Sequence, residues 1–107
     1  MFLHEKSILQ RISERLRSQF GSRVVSMHAF GSRVRGTHDA WSDFDVLVVV
    51  REKDPALESS IIGIFVEEEM TAGASFTPVV KDLRSYELEK KHHTPFYDAI
   101  EKGGVLV

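Results

Sequence analysis

The run "FDVLVVV", residues 44–50, constrains this chain more than any other stretch. It is apolar, rich in β-branched residues, and too short to count as a helix, so it reads as a strand buried on both faces. Such a strand needs pairing partners at its sides and cover above and below, which commits the chain to a sheet wrapped by helices. One residue breaks the pattern: Asp45 lies inside the run, and Asp43 stands just before it. Aspartate is a poor strand former, and an uncompensated buried carboxylate is costly. What neutralises these two acids is therefore the question of function.

The remaining pattern supplies the sheet and its cover. Residues 4–20 read as an amphipathic helix, with Ile8, Ile12, Leu16 and Phe20 four apart and Leu9 widening the stripe. Gly21 follows as a stop. Residues 23–30 form an expected strand. Asp54 and Pro55 read as the N-cap and first residue of a helix carrying Leu57, Ile61, Ile64 and Phe65, with Gly73 ending it. A third strand is expected over 74–80, and Pro78 inside it predicts an edge or a bulge. From Asp82 the chain reads as helix through Leu83, Tyr86 and Leu88. Thr94 and Pro95 then open a last helix bearing Phe96 and Ile100, Gly103 and Gly104 stop it, and "VLV" adds a short strand. The order α-β-β-α-β-α-α-β predicts an α/β (α+β) fold with a small mixed sheet flanked by helices. The 107 residues suit one domain over 1–107.

Composition excludes several classes. A net charge of −2 lacks the basic excess of a protein that coats nucleic acid, so nucleic acid is not expected as a partner. With no cysteine, neither a disulfide framework nor a zinc ribbon can form. No apolar stretch approaches the roughly 20 residues of a membrane span, and the first residues lack the apolar core of a signal peptide. The expectation is a soluble, cytoplasmic protein.

On a strand, Asp43 and Asp45 share a face, roughly 6.5 Å apart along the backbone. Two carboxylates so placed can converge on a divalent cation, and ligation by oxygen alone suits Mg²⁺ or Mn²⁺. Upstream, "AFGSRVRG" leaves a strand at Phe30 and turns at Gly31, and Ser32 opens a short helical turn. Glycine admits a ligand close to the backbone, free N–H groups there attract an anion, and Arg33 and Arg35 add positive charge. Gly-Ser after a strand is by itself most often only a turn, and Asp-x-Asp at a strand start is more often a solvated strand end. Their order and spacing together describe a nucleoside-triphosphate site. Elsewhere the bland readings prevail. His28 reads as a hydrogen-bonded structural residue, Lys90, Lys91, His92 and His93 as surface, and Glu67, Glu68 and Glu69 as a solvated helix end. His38 and Trp41 lie in the loop between the two motifs, where either could touch a nucleotide.

These residues resemble the nucleotidyltransferase superfamily of DNA polymerase β, and most of all its minimal nucleotidyltransferases. The shared pattern is an apolar residue, Gly31-Ser32, a spacer of about ten residues, then Asp43-Phe44-Asp45 inside an apolar strand. The ending "TPFYDAIEKGGVLV" is also similar. The resemblance implies that Gly31, Ser32 and Arg33 bind the triphosphate and that Asp43 and Asp45 are catalytic and hold Mg²⁺. It implies transfer of a nucleoside monophosphate, by family habit AMP from ATP, to an acceptor. It further implies an antitoxin whose partner is a helical HEPN-domain toxin; the sequence does not give the oligomeric state, and a homo-oligomer stays open. The family draws a third carboxylate from a later strand. Here that strand is "ASFTPVV", with Thr77 at the matching position, or Pro78 if the register slips. Two readings stay open on that basis: an active transferase, and a nucleotide-binding antitoxin that acts by contact alone.

Overall fold

A computed structural model describes residues 3–30, 44–73, 75–103 and 105–106. Helix α1 (Leu3–Phe20) leads through a 3₁₀ turn (Gly21–Arg23) into β1 (Val24–Phe30). Strand β2 (Phe44–Val50), helix α2 (Pro55–Ala72) and strand β3 (Phe76–Asp82) follow, then α3 (Leu83–His92), α4 (Pro95–Gly103) and β4 (Val105–Leu106). The strands form one sheet in the order β3-β2-β1-β4. β1 pairs antiparallel with β2 and β4, and β2 pairs parallel with β3. The sheet is therefore small and mixed, as the element order predicts.

Strand β2 occupies the interior of the sheet, and Val46, Leu47, Val48, Val49 and Val50 are all essentially inaccessible. Its alternation divides the core in two. Val46, Val48 and Val50 face α1 and α2, meeting Ile8, Leu9, Ile12 and Leu16 from the first helix and Leu57, Ile61, Ile64 and Phe65 from the second. Leu47 and Val49 face the other way, packing with Phe30 and Ile100 and with Leu83, Tyr86 and Phe96 beside them.

Local chemistry sets the ends of these elements. The Asp54 carboxylate accepts from the Leu57 N–H at 2.8 Å, and Gly73 closes α2 in the left-handed region at φ 74°. Gly21 enters the 3₁₀ turn at φ 58°, a conformation that disfavours any side chain. Thr94 Oγ1 accepts from the Tyr97 N–H at 3.2 Å and so caps α4. Pro78 sits on β3, an edge strand, where a residue without an N–H is best tolerated.

Two expectations need correction. β3 runs over 76–82, two residues later than the expected 74–80. Asp82 is both its last residue and the cap of α3, accepting from the Ser85 N–H at 2.7 Å. The acidic run at the end of α2 is not a solvated face. Glu68 is 5% exposed and takes hydrogen bonds from Arg11 (Nε 3.0 Å, Nη2 2.6 Å) and Arg15 (Nη1 3.0 Å), while Glu67 holds Arg15 at 2.6 Å. Burying the Glu68 carboxylate is tolerable because two guanidinium groups on α1 saturate it. The ion cluster thereby fixes α1 against α2.

Candidate nucleotide site at the mouth of the sheet

Strand register builds the site from the sheet outward. Across β1, β2 and β3 one row reads Phe30, Asp45, Thr77. Because Asp45 alternates with Leu47 and Val49, its side chain lies on the α3–α4 side of the sheet, with Thr77 beside it on the parallel neighbour. Exposure rises along the row: Phe30 is buried, Asp45 half-buried and Thr77 exposed. The row thus sets an aromatic ring, a carboxylate and a hydroxyl side by side at the mouth of the sheet, with accessibility rising towards β3. The Phe30 ring packs edge-on against Phe96 of α4 at 5.5 Å between centroids.

The register decides between the two positions matched to a third acid. Thr77 stands opposite Asp45, whereas Pro78 stands opposite Val46, whose side chain belongs to the α1–α2 core. Asp82 is excluded from this role: it pairs with Val50 at the far end of β3, five positions on, roughly 16 Å at the strand rise. Its carboxyl is instead held below the usual range by hydrogen bonds from Ser85.

Of the other expected site residues, Gly31, Ser32, Arg33 and Asp43 lie outside the described residues, as do Arg35, His38 and Trp41. Among the described residues no three carboxylates or imidazoles come together as a metal cluster.

A residue that pattern reading missed is Glu69. Its Oε1 accepts the Phe76 N–H at 2.6 Å, tying the last turn of α2 to the start of β3, one residue before Thr77. The only sequence signal for it is an acid where the helix dipole disfavours one.

His28 behaves as expected of a structural histidine. Its Nε2 lies 3.0 Å from Ser26 Oγ, its ring stacks obliquely on Tyr86 at 5.7 Å, and burial lowers its pKa, with Glu101 opposing weakly. The folded state therefore holds a neutral imidazole that the unfolded chain would protonate below about pH 6.5. Stability should fall as pH drops from that value towards the lower folded pKa, and level off beneath it. Urea melts of the wild type and His28→Asn between about pH 7 and 5 check this: the step belongs to the wild type and is missing from the variant. His93 is exposed and ends α3 in the left-handed region at φ 49°.

No helix among the described residues is long and apolar enough to cross a membrane. Comparison with solved structures finds the same fold repeatedly. A Sulfolobus solfataricus protein assigned as a nucleotidyltransferase is 24% identical, with a TM-score of 0.58 over 94% of this chain and 76% of that one. The toxin–antitoxin complex MntA–HpeT, in a variant with two aspartates changed to glutamate, gives 18% identity and a TM-score of 0.59 over 91% and 69%. A toxin–antitoxin structure with AMP-PNP gives 18% and 0.57 over 91% and 70%. At such identities the likeness carries the fold, which is that of the nucleotidyltransferases. No curated protein matches significantly. The sequence itself supplies the family, since the model of the nucleotidyltransferase domain matches residues 9–104, from the core of α1 to the end of α4. This chain belongs to the nucleotidyltransferase domain family.

Proposed function

We propose that the chain is a Mg²⁺-dependent nucleotidyltransferase that moves AMP from ATP to an acceptor, and that it serves as the antitoxin of a helical HEPN-type toxin, which is itself the acceptor. The observation that carries the reading is the placement of Asp45. It sits in a strand row at the sheet mouth, and the segment with the Gly-Ser motif leaves β1 from that same row, directly after Phe30. Two solved neighbours lend support: one contains AMP-PNP, and another alters two aspartates that stand one residue apart, the spacing of Asp43 and Asp45.

The donors at this mouth are hard oxygens, a carboxylate on Asp45 and a hydroxyl on Thr77, which suit Mg²⁺ or Mn²⁺ better than zinc. Asp43 and Asp45 would hold the ion, which supplies neutralisation of the triphosphate charge when bound. Gly31, Ser32 and Arg33 bind the β- and γ-phosphates. In the transfer, an acceptor oxygen forms a bond to the α-phosphorus while the bond to the bridging oxygen breaks. Pyrophosphate leaves, and the acceptor proton passes to solvent or to a base. The protein's share is positioning and charge complementarity.

A second reading is favoured by Thr77, because a hydroxyl stands where the family places a carboxylate: the chain then binds nucleotide and silences its partner by contact. Incubation with α-labelled ATP, Mg²⁺ and the product of the neighbouring gene separates the two. Label on the partner that disappears with Asp43→Asn supports transfer. Tight association without label, indifferent to that substitution, supports contact alone. Under the transfer reading, Thr77→Asp restores a carboxylate beside Asp45 and should accelerate labelling roughly tenfold or more, since a placed base contributes at least that. An unchanged or slower rate would show that proton removal is not what limits the reaction.

A further inference from the structure

Glu69 makes two connections at once. Its carbonyl accepts the Gly73 N–H at 2.9 Å and closes α2, while its carboxylate accepts the Phe76 N–H at 2.6 Å where β3 begins. One residue thus ends a helix and starts the next strand. The position is electrostatically poor for an acid. It lies near the C-terminal end of α2, where the helix dipole is negative, and directly follows Glu67 and Glu68. Those two are balanced by Arg11 and Arg15, whereas the Glu69 carboxylate is turned onto a backbone amide. A local preference overridden in this way is expected where a residue has a functional task.

What the bond fixes is the leading end of β3. Among the described strands β3 is at the edge of the sheet and pairs with β2 alone. Its first pair is Phe76 with Phe44, and its second is Thr77 with Asp45. Strand ends fray first, and fraying here would carry the Thr77 hydroxyl away from the Asp45 carboxylate. Two residues of α2 oppose it, four apart on one face of the helix. The Phe65 ring packs edge-on against the buried Phe76 ring at 5.9 Å, and Glu69 holds the Phe76 N–H. The ring contact is apolar and non-directional. The carboxylate bond is short, directional and charge-assisted, and it acts on the main chain itself.

We infer that Glu69 is a positioning residue for nucleotidyl transfer: by clamping the Phe76 amide it keeps the Thr77 hydroxyl in register beside Asp45, at the mouth that takes the metal–nucleotide pair. The inference deepens the transferase reading and rests on it. Glu69 acts through the strand. Its loss frees the end of β3, and a displacement of about 1 Å near a reacting centre can lower a rate by up to about 10²-fold. Under the transferase reading the triphosphate and its ion are held by Gly31, Ser32, Arg33, Asp43 and Asp45, all of which precede β3. The loss therefore falls on turnover and leaves the affinity for ATP in place.

Labelling with α-labelled ATP, Mg²⁺ and the product of the neighbouring gene tests this on the full chain, with kcat and the KM for ATP measured separately. Glu69→Ala should lower kcat about tenfold or more and leave KM within about threefold. Glu69→Gln keeps an acceptor oxygen for the Phe76 N–H and should restore most of the rate. Thr77→Val removes the hydroxyl and keeps the strand. It should reproduce the kcat loss, and adding Glu69→Ala to it should cost little more, since both changes act on one group. A merely structural role gives independent losses instead. Should Glu69→Ala be unfolded by its far-ultraviolet spectrum, Glu69→Asp, with its carboxylate one methylene short of the amide, takes its place. An unchanged kcat, a loss confined to KM, no rescue by Glu69→Gln, or additive losses in the double variant overturns the inference while the transferase reading stands. A wild type that labels nothing overturns the transferase reading, and the inference with it.

Discussion

Asp45→Asn is expected to reduce nucleotidyl transfer by a factor on the order of 10²–10³, the scale on which active-site electrostatic contacts act. The substitution keeps the shape of the side chain and removes its charge. Asp45 is only half-buried at the end of its strand, and the packing of β2 rests on Val46 to Val50, which the change does not touch. Pairing with Phe30 and Thr77 runs through the backbone and survives. The loss should therefore appear in single-turnover labelling of folded protein, with the far-ultraviolet spectrum of the wild type retained. If transfer stays within tenfold of wild type, the carboxylate has no direct part in the chemistry.

The second large effect concerns stability. Replacing both Arg11 and Arg15 with alanine leaves the Glu68 carboxylate buried with neither of its guanidinium partners. Because the arginines also cover the carboxylate, their loss admits some water to it, and the cost is on the order of 2–3 kcal/mol, which for a domain of this size lowers the melting temperature by roughly 10 °C. Glu68→Ala should cost less, about 1–2 kcal/mol. The two arginines it releases are 52% and 37% exposed and can hydrate. That ordering is the test: the double substitution on α1 must exceed the single one on α2. The two arginine substitutions will not be additive, because both act on one carboxylate.

The same cluster sets an acid limit. Hydrogen bonds from Arg11, then from Arg15, hold Glu68 below the usual carboxylate range against the opposing effect of burial. A depressed folded pKa means that its stabilisation is complete above the unfolded value and is lost as pH falls towards the folded one. Acid unfolding should accordingly begin earlier in Arg11→Ala than in wild type, as followed by circular dichroism.

Much of the fold is legible in the chain because local chemistry and tertiary packing agree. The four-residue recurrence of Ile8, Ile12 and Leu16 is the buried face of α1, and Asp54-Pro55 and Gly73 bracket α2 as capping rules require. Pro78 announces an edge strand, and the sheet order makes it one. Where reading fails, long-range partners are responsible. Glu68 looks solvated because the arginines that bury it lie more than fifty residues away in sequence. The start of β3 is set by the Glu69 carboxylate at Phe76, not by any signal in "ASFTPVV". The bulge that shifts the β1–β2 register between Val24 and Ser26, and leaves Val25 exposed, is likewise unmarked in "VVSMHAF", which carries no glycine or proline there. For the candidate site, sequence spacing singles out Asp45, the family resemblance points to Thr77, and only the strand register sets those two side by side.

Titration of the chain with a non-hydrolysable ATP analogue in the presence and absence of Mn²⁺, followed by calorimetry, tests the central claim most directly. The account predicts one nucleotide bound per chain, dependent on the metal, with binding abolished in Asp43→Asn and Asp45→Asn. Failure of the wild type to bind the metal–nucleotide pair, or undiminished binding in both variants, would contradict it.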